Sequence, residues 1–439
     1  MAPNPNIMQA VEQLDYRVTV GDVAAKAGLE VNLAQRELLA LASDAGGHLQ
    51  VAESGEIAYL FPRNFRDILR NKFWRLQVQE WWEKIWRVLF YLIRISFGIV
   101  LIASILLIMV AIAVIIFAAS FSSDNNNSSS RNDSGGSSFI FWPLYFFDDW
   151  WWFLYWDYND PYYRRERQAS GERSEMNFLE AVFSFLFGDG NPNYNLEERR
   201  WQAIALAIRN NKGAVVAEQI APYLDQLGQG YALEYEEYML PVLARYDGRP
   251  EVSPEGQIVY HFPELQTTAK EHHSQSVSSY LREFAWRFSE ASSGQVLLAA
   301  GLGAVNFVGV LVLGNLLATS PVVAKLGFLV FVKALYPILL VYGVGFLAIP
   351  LIRYFWVQWR NRKIETRNQE RERRASILNQ PQTALNQKLG YARKFAAETV
   401  ISSQDLAYTT ETDLLEQEAQ QSAKIDAEFQ RRLNQSGNS

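Results

Sequence analysis

Four histidines, His48, His261, His272 and His273, are the side chains of this sequence best suited to metal or proton chemistry. Only the last two adjoin, and consecutive side chains rarely aim at one ion, so no metal site is expected. The chain has no cysteine, which removes disulfides, thiolate zinc sites, cysteine-ligated iron–sulfur clusters and a thiol nucleophile. The stretch GDGNPN at 188–193 resembles a calcium loop but lacks the ligand ladder and the closing Glu, and it reads as a helix stop and turn. No Gly-rich phosphate loop, HExxH helix or GxSxG elbow occurs. The expected catalytic, cofactor-binding and metal-ligating residues are therefore none, and the chain reads as non-enzymatic. A different chemistry is suggested by Asn306, Asn315 and Lys333, which interrupt apolar stretches and raise an intramembrane pathway. Lys333 lies near the start of its stretch, where it can snorkel to the interface. Small residues around them, Gly301, Gly303, Gly309 and Gly314 among them, favour close helix packing over transport.

The elements that hold these residues are membrane spans joined to soluble parts. Hydrophobic residues make up 49% of 439 positions while charged residues keep 20%, and mean hydropathy is only -0.10. Residues 95–121 carry no charge and would cover roughly 40 Å as a helix, more than a bilayer core. Two further spans, 296–320 and 326–352, form a hairpin around a short turn. Lys and Arg gather before the first span (Lys72, Arg75, Lys84, Arg87, Arg94) and after the last (Arg353, Arg360, Arg362, Lys363, Arg367), which assigns both ends to the cytosol. No secretory leader is read in MAPNPNIMQAVEQLDYRV. Three spans cannot return the chain, so the aromatic segment 139–156 is read as a bent or re-entrant crossing. Pro143, Asp148 and Asp149 support the rival, an aromatic belt in the interface.

The soluble parts contain a duplication. GEIAYLFP at 55–62 returns as GQIVYHFP at 256–263, and Leu38, Leu39 and Leu41 align with Met239, Leu240 and Val242. The first copy reads as a helix ended by Gly28, a second helix capped by Asn32 and stopped at Gly46, then a hairpin with Ile57, Tyr59 and Phe61 on one face. The second copy follows the same order with a longer inter-helix turn near Gly228 and Gly230. That is a winged-helix-like arrangement. The fold class is accordingly an α+β membrane protein with two such modules, transmembrane helices and a C-terminal helical tail. The modules occupy 1–70 and 195–265. Between them lie a basic and aromatic helix with the first span at 71–121, a polar loop at 122–138, the aromatic segment at 139–156 and a linker with an amphipathic helix at 157–194. A linker helix at 266–295, a membrane hairpin at 296–352 and a basic then amphipathic tail at 353–439 complete the chain. Acidic residues outnumber basic ones in the first copy, and the second helix of the later one is read as carrying Glu234, Glu236 and Glu237 with one Arg near its end, so a nucleic-acid partner is disfavoured.

The stretches DVAAKAGL, DAGGHLQVAESGEIAYLFPRNF, MNFLEAVFSFLFGDGNPN and EGQIVYHFPEL resemble a family of membrane proteins of cyanobacteria and chloroplasts whose molecular role is poorly defined. Some plant relatives carry a label connected with iron–sulfur cluster assembly, for which this chain has no cysteine ligand. The resemblance implies an integral protein of the thylakoid or plasma membrane. Joined to the duplication, it leads to the expectation of a scaffold or assembly factor for photosynthetic membrane complexes, with a membrane-tethered transcription regulator and a small-solute transporter as alternatives. Expected partners are membrane lipids, membrane protein complexes and further copies of the chain. Tyr59, Phe61, Tyr260 and Phe262 on the two hairpins are the candidate interaction residues.

Overall fold

The computed structural model describes residues 3–123, 176–270, 276–380, 383–402, 406–419 and 422. The segment 139–156, the basic residues that follow it, His272, His273 and most of the amphipathic tail lie outside the described residues. The structure is helix-dominated with short strands and divides into two units. One comprises Met1–Trp82, Asn193–Phe284 and Lys363–Ser439, and the other Glu83–Pro192 and Ala285–Arg362.

The first copy opens with α1 (Pro5–Gln13), capped by the Asn4 side chain and started by proline. Next come β1 (Arg17–Thr19) and α2 (Val20–Ala27), where Thr19 and Asp22 form a reciprocal capping box and Gly28 closes the helix at φ 63°. Strand β1 falls at the start of the stretch read as helix, because β-branched Val18 and Thr19 pair with Tyr59 and Ala58. Helix α3 (Val31–Ala45) ends at Gly46, as read. Its N-cap is Glu30 instead of Asn32, since Val31 is drawn into the core and the turn begins there. The hairpin is β2 (His48–Ala52) and β3 (Ile57–Leu60), followed by α4 (Phe65–Lys72) and the long α5 (Trp74–Ser123). After the short apolar α6 (Phe178–Phe187), the second copy runs α7 (Leu196–Asn210), β4 (Ala214–Val215), α8 (Ala217–Ile220), α9 (Tyr231–Glu234), α10 (Leu240–Tyr246), β5 (Arg249–Val252) and β6 (Ile258–His261).

The two copies share more than the hairpin. Both sheets order the first strand against the third and the third against the second, with Val18 opposite Tyr59 and Val215 opposite Tyr260. The longer turn of the second copy breaks into α9 and short 3-10 turns, with Gly228 and Gly230 supplying left-handed backbone at φ 77° and 58°. One continuous core holds Ile7, Leu38, Tyr59 and Phe61 of the first copy together with Ile208, Tyr246, Tyr260 and Phe262 of the second.

Beyond the second copy lies β7 (Thr267–Thr268), but no helix precedes Ser293 among the described residues of the expected linker helix. Asparagine amides capture its backbone instead. Asn193 accepts from the Phe284 N–H at 2.8 Å and donates to its carbonyl at 2.7 Å, and Asn368 makes the same pair with Glu283, at 2.9 Å each way. The chain then forms α11 (Ser293–Thr319), α12 (Gly327–Ile377), α13 (Thr383–Ala392), β8 (Thr399–Val400) and β9 (Leu406–Thr409). Helix α12 runs on through the segment read separately as a basic helix.

Among the described residues, α5, α11 and α12 are the three helices long and apolar enough to cross a membrane, and the other unit holds α11, α5 from Glu83 onward and α12 as far as Arg362. Gly303 lets Phe346 approach, Gly309 faces Ile108, and Gly98 admits Leu179 of α6. Helix α6 docks on its own chain, with Val182, Phe185 and Leu186 beside Leu101, Ile105 and Ala299. Asp189 beyond it accepts from Arg94 at 2.7 Å and from the Ser184 hydroxyl.

Candidate functional site

The candidate arrangement is the junction where the two copies and the tail meet. Helix α2 supplies its centre. Gly21 leaves no room for a Cβ against the Glu264 carbonyl, so the α2 backbone lies directly on the second copy. Asp22, in the first turn of the helix, is buried. Its carboxylate accepts from Arg209 at 2.5 Å, from the Thr19 and Ala269 amides at 3.0 and 2.9 Å and from the Thr268 hydroxyl at 3.0 Å. Burial pushes this carboxyl up, but the Arg209 charge and the hydrogen bonds outweigh it and hold the group below the usual carboxylate value. At the other end of α2, the Gly28 carbonyl accepts twice from Arg245, whose guanidinium lies over the Trp201 ring at 4.3 Å. The only cation on α10, the helix that a nucleic-acid reader would use, is thereby spent inside the unit.

The tail closes the junction. Strand β8 pairs in parallel with β7, and Arg17 donates to the carbonyls of Ala269 and Ile401, each at 2.7 Å. Strand β9 adds antiparallel to β2 on the first hairpin. Helix α13 sits on the second copy with Leu385 and Ala392 against Val216 and Val259. Its Lys388 reaches Glu218 at 3.0 Å and Glu236 at 2.6 Å. Tyr260 donates to Glu236 at 2.7 Å, and burial followed by that carboxylate raises its phenol well above the ordinary value.

The basic residues 353–374 after the last apolar span have, by sequence, the charge to meet anionic lipid headgroups. Much of it faces protein. Arg371 is 1% exposed and pairs with Glu283 at 2.8 Å and with Asp225, which also binds Arg200. Arg367 grips Glu283 through two bonds, at 2.8 and 2.6 Å. Burial opposes ionisation of Asp225 and Glu283, yet the arginines keep both below their usual values. These groups neutralise one another and form mortar between segments of one unit. Among the described residues no group of three His, Cys, Asp or Glu side chains is placed to hold a metal ion. His48 meets the Thr410 carbonyl and His261 the Gln266 side chain.

The candidate interaction residues change role. Tyr59, Phe61 and Tyr260 are each 3% exposed and Phe262 is fully buried, so they build the shared core and cannot meet a partner. Alternation along the strand placed Tyr59 and Phe61 on a face that the helices of both copies cover, whereas Ile57 is 37% exposed and Ala58, on the opposite face, is buried with Ala52 and Ile401. The large exposed apolar groups of the second copy are Tyr231, Leu233, Tyr235 and Leu240, flanked by Glu234 and Glu237, together with Val252 on β5. The intramembrane polar residues do not converge either. Asn306 is buried and donates to Ser104 of α5 at 2.5 Å, whereas Asn315 and Lys333 are exposed on their helices. Asp22, Arg209, Arg371 and Lys388 were not singled out in the sequence. The only local signal among them was the Thr-x-x-Asp capping spacing at 19–22.

No protein-family model matches the chain, and no solved structure matches it. It is 42% identical over 422 residues to "Uncharacterized protein At5g03900, chloroplastic" of Arabidopsis thaliana, covering 93% of this chain and 79% of that relative. With that identity along most of both sequences, the chain belongs to the family of this chloroplastic plant protein.

Proposed function

We propose that this protein is a membrane-anchored scaffold or assembly factor for protein complexes of the photosynthetic membrane, non-enzymatic, with its two modules being winged helices turned to protein packing. One observation carries the reading: two copies of the same module, separated in sequence by an apolar helix, are fused by a shared core and a tail that contacts both. Such a fusion makes a doubled, preorganised protein surface, and its ionic groups are consumed in holding it together. The topology proposed with it places both modules and both ends of the described chain on one face of the membrane, the cytosolic side of a thylakoid or plasma membrane. Supporting that topology, residues on both sides of α5 in the chain belong to one unit. The chloroplastic relative supports the membrane system.

Affinity capture from membranes solubilised in mild detergent, followed by mass spectrometry, tests the function. The expected result is recovery of specific membrane complexes in defined ratio, and recovery of nothing beyond detergent background refutes it. Because the chain has no native cysteine, single cysteines placed at 43 and 255 report sidedness through an impermeant maleimide. Labelling of one site and not the other in sealed vesicles refutes the shared face.

A further inference from the structure

The two hairpin edges of this duplicated protein are not equivalent. In the first copy, β2 turns the amides and carbonyls of Leu49 and Val51 away from β3, because Gln50 and Ala52 take the positions bonded to that strand. The tail fills this edge. Leu49 donates to the Thr410 hydroxyl at 2.9 Å, Thr410 returns its N–H to the Leu49 carbonyl at 3.0 Å, and Val51 lies opposite Tyr408. In the second copy, the position equivalent to Leu49 is Pro250, which faces Tyr260 as Leu49 faces Tyr59. Proline has no N–H to offer there, so this edge is closed to strand addition by chemistry. One edge has been sealed by sequence, while the other is kept competent and occupied.

The occupant holds lightly. Its apolar attachment is Leu406 beside Ala52, Ala58 and Ile401, while Ala407 and Tyr408 are exposed. The register shifts between Val51 and Ala52. Upstream, by contrast, the tail is pinned by Lys388 to Glu218 and Glu236 and by Arg17 to the Ile401 carbonyl. Residues after 401 can therefore leave without releasing α13 or β8. The outer side of β9 is itself capped, since the Gln417 amide donates to the Thr409 carbonyl at 2.6 Å and accepts from its N–H at 3.0 Å.

We infer that the β2 edge is the docking site for an extended segment of a client protein, and that β9 is a built-in placeholder which the client displaces by strand addition. The inference rests on the scaffold reading and names the client's chemistry. The segment runs antiparallel to β2, places an aliphatic side chain where Leu406 meets Ala52 and Ala58, and offers a hydroxyl residue in the place of Thr410.

The test uses the full chain in detergent and a dye-labelled peptide of residues 406–412 as probe. Thr410→Pro removes both bonds to Leu49 and leaves the upstream anchors in place. A Val51→Cys with Tyr408→Cys variant locks β9 through what is then the chain's only disulfide. Fluorescence anisotropy should show the peptide binding Thr410→Pro about tenfold more tightly than the parent chain, the loss expected for an intramolecular competitor deprived of a hydrogen-bonded pair. The oxidised lock should bind no peptide until reduced. Equal binding to the Thr410→Pro and parent chains, or binding to the oxidised lock, overturns the inference. Membrane capture with the locked chain then separates the two readings. Loss of complexes that the parent chain recovers supports docking at β2. Recovery of the same complexes by both overturns it and leaves the scaffold standing, whereas recovery of none by the parent chain removes the scaffold itself.

Discussion

Replacing Arg209 with Met isolates the buried ion pair between the two copies. The Arg209 and Asp22 side chains are 8% and 6% exposed and 2.5 Å apart. In the variant, Asp22 keeps its amide and hydroxyl donors but loses its counter-charge, leaving a buried carboxylate without an ionic partner. Breaking such a pair from one side costs about 3–5 kcal/mol, against about 1 kcal/mol or less for an exposed pair. For a unit of this size the loss corresponds to a fall of roughly 6–20 °C in melting temperature. Pulse proteolysis across a temperature ramp in detergent reads the transition. Amide exchange at 19–28 and 264–269 should accelerate together, because the bond lies between those segments. The pH dependence is a second signature. The parent Asp22 carboxyl lies below its ordinary 3.8, so its stabilisation is complete above that value and is lost as pH falls from it through the depressed folded value. Without Arg209 the largest counterweight to burial is gone, so the carboxyl should rise and take up its proton in the folded state at a higher pH than in the parent. The gap between the two proteins should then be widest near neutral pH and narrow below about pH 5. A loss under about 1 kcal/mol at pH 7, or a gap independent of pH, refutes the argument that this pair is a buried keystone.

Gly21→Ala should destabilise the same junction by about 1–3 kcal/mol, because the added methyl meets the Glu264 carbonyl, while Gly301→Ala, with open space around it, should change melting by less than about 0.5 kcal/mol. Ser104→Ala leaves the Asn306 amide without its acceptor and should weaken packing of α5 on α11 by about 0.6–2 kcal/mol, seen as earlier loss of helical signal in a detergent titration. In the parent protein, acid should loosen the unit containing Asp22, Asp225 and Glu283 as pH falls through their ordinary values of 3.8, 3.8 and 4.5 towards the depressed folded ones. Exchange protection at 222–225 and 281–284 should be lost there, and full retention at pH 3 would contradict the arginine-held carboxylates.

Much of the architecture was legible because its signals are local. Alternation at Ile57, Tyr59 and Phe61 gave the hairpin, and Gly28 and Gly46 marked helix ends through left-handed backbone that other residues resist. The expected linker helix failed for a non-local reason: Asn193 and Asn368, far away in sequence, take the backbone groups that a helix would pair internally. The basic stretch misled in the same way, since Arg367 and Arg371 look like lipid-facing charges until Glu283 and Asp225 are brought beside them.

Read alone, the sequence determined that one module occurs twice, that apolar helices divide the copies, and that thiol and thiolate-metal chemistry is excluded by composition. Each depends on residue type, or on a period short enough to read along the chain. Only the tertiary structure decided that the hairpin aromatics are core, that Asp22 and Arg209 form a joint, and that β9 lies on β2 where Pro250 forbids the equivalent pairing on the other copy. Those outcomes depend on which distant segment arrives at a given face or edge, because burial and unpaired backbone groups are satisfied by whatever the fold brings within reach.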